Sequence, residues 1–223
     1  MTTLWVLWLV YCLALIIDFF YVQPWRNRKA HVRHSYYEAG PISFGLRAAL
    51  PIFTVILLLR SFVIDVYHVP SASMRPLFDE GSRIWVNRLA YGLRSPLTGR
   101  GLTSAASPHP GDVAVFQYPR EPRTTYVKRI IGIPGDQIDI VGTDIRVNGQ
   151  PLIEPSADGA TRIARLGDRR YEVILHGATP AVETHLTVPP AHYFTLGDNL
   201  SNSEDSRVWG LLEQRNLLGR VIL

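Results

Sequence analysis

The chain has 223 residues, of which 47% are hydrophobic and 19% charged, and a formal net charge of +4. Its single cysteine, Cys12, excludes an intramolecular disulfide and a cysteine-based zinc site. The basic excess lies in one loop: between Gln23 and Arg47, five basic residues (Arg26, Arg28, Lys29, Arg33 and Arg47) oppose Glu38 alone, a net +4 that leaves the rest of the chain near neutral. A nucleic-acid binder carries such an excess on its folded domain, so no nucleic-acid partner is expected.

Residues 1–22 are predicted as a first transmembrane segment. Leu4 to Val22 has one charge, Asp18, and is long enough to cross a bilayer. No Lys or Arg precedes it, and Phe19, Phe20 and Tyr21 are too bulky for a signal-peptide cleavage site, so the segment reads as an uncleaved span. Residues 23–47 form the basic loop. Residues 48–66 are predicted as a second transmembrane segment, apolar on all faces. In it Pro51 is expected in the first turn, where a missing N–H costs little, and Arg60 can snorkel to the headgroups. The positive-inside rule makes 23–47 cytoplasmic and 67–223 extracytoplasmic, with membrane lipids as surroundings.

Residues 67–223 are predicted to be β-rich. Asp112 to Tyr118 and Thr125 to Ile133 are dense in β-branched and aromatic residues, and Pro134-Gly135-Asp136 supplies a turn. Gln137 to Val141 and Asp144 to Val147 read as a hairpin, Asn148-Gly149 as a tight turn before Pro151-Leu152-Ile153. Val173 to Leu175 and Tyr193 to Leu196 are further short strands. Residues 95–111 read as an exposed loop and 154–170 as a polar stretch without clear structure.

Three segments carry candidate chemistry. Only Lys29 and Lys128 among the 23 basic residues are lysines. Arginine keeps its proton in proteins, whereas a lysine on an apolar face can lose its own and act as a base. Strand alternation places Tyr126, Lys128 and Ile130 on one face of TYVKRIIGI. Alone, this lysine could equally decorate an edge strand. Directly after the second apolar segment, VPSASMRP brackets a short serine run with two prolines. It can present a serine with N–H groups outward, as an oxyanion hole requires, or can simply be a linker. The polar loop GDNLSNSEDSRVWG is the third, and by itself reads as a turn with a surface ion pair.

Taken together these segments resemble the type I signal peptidase family: VPSASMRP is similar to its nucleophile box, DVAVFQYP to the strand box after it, YVKRIIGIPGD to its lysine box and GDNLSNSEDSRVWG to its C-terminal box. The resemblance implies two N-terminal transmembrane helices followed by an antiparallel β-sheet catalytic domain, with a small accessory insertion at about 137–190. It implies a membrane serine endopeptidase of the bacterial inner membrane that removes signal peptides from exported preproteins without metal or cofactor. Ser73 would be the nucleophile and Lys128 the general base. The Ser73 N–H and the Ser71 hydroxyl would form the oxyanion hole. Ser203 would orient Lys128, Asp205 would pair with Arg207, and Asp198 and Arg129 would brace the loop. Gly197 would let the backbone approach the lysine.

A substrate would add as an extended strand between 67–73 and 124–128. Its side chains one and three residues before the cut would point inward, and the resemblance implies small residues at both. Val69, Met74, Phe78, Tyr126 and Val127 are the candidate pocket walls. The chain departs from the family pattern at Leu77-Phe78, Leu200-Ser201 and Val208. Two other readings stay open: a Ser-His hydrolase using His68, His109, His176, His185 or His192, although no G-x-S-x-G elbow accompanies them, and a non-enzymatic, membrane-tethered assembly domain. The H-E-x-x-H signature of a zinc protease is absent.

Overall fold

The computed structural model describes residues 2–22, 24, 25, 28, 41–95, 101–103, 106–154, 161–176 and 183–223. The chain divides into two compact units, one containing the helices up to Val63 and the other comprising Ile64–Leu93 and Gly101–Leu223.

In the first unit, helix α1 (Thr2–Ile17) continues as a π-helical turn, Asp18–Val22, and helix α2 (Pro41–Leu58) continues through a second one, Leu59–Val63. Side chains tie the two helices together: Trp5 Nε1 donates to Ser61 Oγ at 3.0 Å and Trp8 Nε1 to Thr54 Oγ1 at 2.9 Å. Such bonds keep their value in an apolar surround, where water offers no alternative partner. Among the described residues one helix, Thr3–Val22, has the length and composition to cross a membrane, and the apolar helix Ala48–Val63 is shorter. Gly45 and Arg47 interrupt the apolar run on its N-terminal side. Helix α2 begins at Pro41 and so carries Pro51 in its interior instead of in its first turn. The second segment also ends earlier than the sequence suggests. Ile64, Asp65 and Val66 are strand, not helix, because Asp65 turns inward to accept from Arg88 Nη1 at 3.0 Å. The expected basic loop, 23–47, lies largely outside the described residues.

The second unit is built from strands β1 (Ile64–His68), β2 (Arg83–Asn87), β3 (Val113–Tyr118), β4 (Glu121–Gly132), β5 (Gln137–Val141), β6 (Asp144–Val147), β7 (Gln150–Pro151), β8 (Thr161–Leu166), β9 (Arg169–Ile174), β10 (Glu183–Thr187), β11 (His192–Leu196), β12 (Leu212–Glu213) and β13 (Leu217–Val221), with one helical turn, α3 (Ser206–Trp209). Seven strands form an antiparallel sheet in the order β1-β2-β13-β3-β4-β11-β12. Four more make a smaller sheet, β10-β5-β6-β7, and β8 pairs with β9. The fold is mostly antiparallel β. The expected hairpin at 137–147 forms, the strands expected at 112–118 and 125–133 pair with each other, and Asn148 (φ 53°) with Gly149 (φ 76°) supplies the two left-handed residues that a two-residue turn needs.

Two apolar layers hold the site in place. Val69, Met74, Val113, Val115 and Val127 pack on one face of the large sheet, and Phe116, Ile130, Tyr193 and Trp209 on the other. Strands β1, β2, β8, β10, β12 and β13 were not legible as strands. Strand β8 falls in the stretch read as polar, because Arg162 and Arg165 mask its alternation; Ala164 and Leu166 point to the core between them.

Candidate active site

Ser73 sits in a single 3-10 turn, Ala72–Met74, that follows the extended Ser71. The loop around it is tied at both ends: the Val69 N–H donates to the Ser82 carbonyl at 2.9 Å, the Gly81 N–H to the Val69 carbonyl at 2.9 Å and the Phe78 N–H to the Met74 carbonyl at 3.0 Å. Val69 and Met74 are buried and anchor it to the sheet. Strand β4 brings Lys128 to the same point. Ala114 lies opposite Lys128 in the β3–β4 register, and this small neighbour leaves the lysine side chain room to cross the sheet face. Its Nζ lies 2.6 Å from Ser73 Oγ although the residues are 55 apart in sequence, and Lys128 is only 3% exposed. The Ser71 hydroxyl donates to the same Oγ at 3.2 Å.

Burial lowers the Lys128 pKa from 10.5 to about 8, against the opposing pull of Asp205, Asp198 and Glu204; Arg207 acts with the burial. Burial outweighs that pull, and two of those carboxylates are also paired with arginines. Arg129 grips Asp198 through two N–H groups, at 2.8 and 2.6 Å, and donates a third bond to the Gly111 carbonyl at 2.9 Å. Arg207 grips Asp205 through Nε and Nη2, both at 2.8 Å, and reaches the Leu200 carbonyl at 2.9 Å. Such forked pairs hold geometry as well as charge. Asp205 also accepts from the Gly197 N–H at 3.1 Å and caps α3 by accepting from the Arg207 N–H.

The polar loop clamps the serine directly. The Asn199 N–H donates to the Ser73 carbonyl at 3.0 Å, and Asn199 Nδ2 to the Ala72 carbonyl at 3.2 Å. A Cβ at Gly197 would collide with the Ser73 carbonyl oxygen and with Ser203 Oγ. The glycine is therefore needed for close approach to the Ser73 loop, and the neighbours that crowd it are Ser73 and Ser203 rather than the lysine. Ser203 Oγ is buried and has no hydrogen-bond partner among the described residues; no Lys128–Ser203 bond forms.

A cleft of about 360 Å³ opens over this pair, lined by Val69, Pro70, Ser71, Ser73, Met74, Thr125, Tyr126, Val127, Lys128, Asn202 and Glu204. Four of the five expected wall residues line it. Phe78 does not: it packs partly buried against the apolar cluster of Val69, Met74 and Val127. Asn199, Asn202 and Glu204 went unnoticed in the sequence as site residues, since nothing in a run of small polar residues marks which ones face a cleft. Among the described residues no histidine lines the cleft. His185, exposed, faces Asp139 at 2.9 Å, and His192, half-buried, faces the Pro190 carbonyl at 2.9 Å. No group of histidine, cysteine and carboxylate side chains suited to a metal is present among the described residues.

A hydroxyl beside a buried amine, at the edge of a groove walled by two extended segments, has the form of a serine endopeptidase site. Comparison with known proteins places the chain more closely. The family described as signal peptidase, peptidase S26, matches residues 43–223. A signal peptidase I of Pseudomonas fluorescens is 32% identical over 197 residues, covering 78% of this chain and 69% of that protein. One of Pseudomonas aeruginosa is 33% identical over 195 residues with the same coverage. The crystal structure of a signal peptidase I from Enterococcus faecalis, 26% identical, covers 52% of this chain and 98% of that one with a TM-score of 0.37. The chain belongs to the signal peptidase family S26: it is a serine endopeptidase that removes signal peptides.

Proposed function

We propose that Ser73 is the nucleophile and Lys128 the general base of a membrane-anchored enzyme that processes exported preproteins. The observation that carries this reading is the 2.6 Å approach of Lys128 Nζ to Ser73 Oγ, in a place that lowers the lysine pKa. Neutral Lys128 takes the Oγ proton as Oγ attacks the scissile carbonyl. The Ser73 N–H and the Ser71 hydroxyl, turned away from Ser73 Oγ, receive the oxyanion. Lys128 passes its proton to the leaving amine and then takes one from the water that cleaves the acyl-enzyme. Ser203, with a buried and unpartnered hydroxyl, accepts from the lysine ammonium formed in each step. Asp198 with Arg129 and Asp205 with Arg207 hold the loop that carries it.

The substrate lies as an extended strand along Val69–Ser71 and Thr125–Val127. It places small side chains, one and three residues before the cut, against Val69, Met74, Tyr126 and Val127. The apolar helices anchor the chain in the bacterial inner membrane, with the basic loop cytoplasmic and the β-domain, small sheets at about 137–190 included, outside. The test is mass-spectrometric mapping of the cut in a preprotein incubated with wild type, Ser73→Ala, Lys128→Arg and a variant with His68, His109, His176, His185 and His192 replaced by alanine. Cleavage by wild type and the histidine-free variant alone supports the dyad. Loss with the histidines sinks it in favour of a Ser-His enzyme, retention in Ser73→Ala removes Ser73 as nucleophile, and no cleavage by wild type favours a non-enzymatic domain.

A further inference from the structure

Glu204 stands apart from the other acids around Lys128. Asp198 and Asp205 are each locked to an arginine, whereas Glu204 is exposed and no arginine or lysine pairs with it among the described residues. It lines the cleft beside Asn202. Two neutral phenols hold its carboxylate: Tyr118 Oη donates at 2.9 Å and Tyr126 Oη at 3.3 Å. Those rings stack on each other at 4.5 Å and 10°, and Trp209 packs edge-on against Tyr118. The nearby Arg120 is committed to the Val208 carbonyl at 2.9 Å. A charged side chain at a cleft rim is ordinarily free to swing into solvent. This one is held in place, is unneutralised, and faces the substrate groove.

We propose that Glu204 selects substrates carrying a basic residue immediately after the cut. The inference rests on Ser73 and Lys128 marking the position of the scissile bond. The walls Val69–Ser71 and Thr125–Val127 are then taken up by the residues before the cut, which leaves the Asn202–Glu204 wall to the first residues on the leaving side. A lysine or arginine there meets a fixed carboxylate and two phenol oxygens. An acidic residue meets repulsion from that carboxylate. This carboxylate adds a charge preference, on the far side of the bond, to the size selection made by the apolar walls.

The test is kcat/KM on a peptide series with alanine one and three residues before the cut and Lys, Gln or Glu at the first or second position after it. The enzymes are full-length wild type, Glu204→Gln and Glu204→Lys in detergent. Only the Lys-to-Glu peptide ratio within each enzyme is read, so a general loss of activity cancels. A carboxylate about 4 Å from a unit charge in a solvated groove predicts a preference for Lys over Glu of roughly tenfold or more in wild type. That ratio should fall to about one in Glu204→Gln, invert in Glu204→Lys, and shrink with added salt. A ratio near one in wild type, or one unchanged in Glu204→Gln, overturns the inference while leaving the serine–lysine reading intact. Cleavage of every peptide by Ser73→Ala overturns both.

Discussion

Replacing Lys128 separates its two properties, charge and basicity. With the pKa lowered to about 8, roughly one molecule in ten carries a neutral Lys128 at pH 7, against about one in three thousand at 10.5. Burial thus supplies about two and a half orders of magnitude in the population able to take the Ser73 proton. The value of kcat/KM should rise about tenfold per pH unit below the depressed pKa and level off above about 8. Lys128→Arg keeps the charge and loses the base, because guanidinium stays protonated, and should be inactive at every pH.

The same burial has a cost in stability. The folded pKa lies below the unfolded one, so between about 8 and 10.5 the unfolded chain holds a proton that the folded chain has lost, and stability rises with pH across that window. Below about 8 both forms are charged and the fold bears the full cost, about 3 kcal/mol at ~1.4 kcal/mol per pKa unit. Lys128→Met should therefore be inactive yet more stable than wild type by up to about 3 kcal/mol at pH 7, with the gain vanishing above 10.5. Urea unfolding of the full-length chain in detergent across pH measures this. Substantial activity in Lys128→Arg, or a kinetic limb centred near the ordinary lysine value, would refute the reasoning.

Glu204→Gln removes a charge that raises the Lys128 pKa, so the rising limb of kcat/KM should move to lower pH, measurable with a Gln-flanked peptide. Gly197→Ala puts a methyl group against the Ser73 carbonyl and Ser203 Oγ. It should cost about 1–3 kcal/mol in unfolding experiments and about a hundredfold or more in kcat, because the serine loop must shift. Arg129→Met leaves the buried Asp198 without its partner and should destabilise the chain by about 3–5 kcal/mol; adding Asp198→Leu should restore much of the loss.

The strands legible in sequence were those whose apolar residues run unbroken or alternate cleanly. Val113–Tyr118 is buried over its first four positions, and Gln137–Val141 alternates between core and solvent. The strands that went unseen either alternate behind arginines, as in Thr161–Leu166, or depend on a partner distant in sequence. Leu217–Val221 is one such: Gly219 is required because a Cβ there would meet Val86 and the Asn87 carbonyl. No local pattern announces that. Likewise, the residue types of the site were readable, but the division of labour inside GDNLSNSEDSRVWG was not. Asn199 clamps, Glu204 faces the cleft and Ser203 sits unpartnered because of how the loop lies against residues 72 and 73, more than 120 positions earlier. The family pattern puts Phe78 at the pocket, whereas the turn closed by the Phe78 N–H and the Met74 carbonyl sends it to the supporting apolar layer.

A buried amine is a poor neighbour for carboxylates if it is to be neutral, since each negative charge holds its proton on. Yet the loop that positions Ser73 needs strong, directional bonds, and carboxylates with arginine provide the strongest available. The structure makes each loop-bracing acid half of a forked pair, so that Asp198–Arg129 and Asp205–Arg207 contribute rigidity, while burial outweighs the pull that both acids still exert on Lys128. An Arg-to-Lys change at 129 or 207 would keep the charge but lose the fork, and with it the geometry. A carboxylate without an arginine partner acts on the lysine as well, though solvent screens it. Glu204 is in that position, and it stands where a substrate can reach it. A basic side chain bound there supplies the neutralising partner that the protein withholds, so one contact both favours such a substrate and weakens the field that keeps Lys128 protonated.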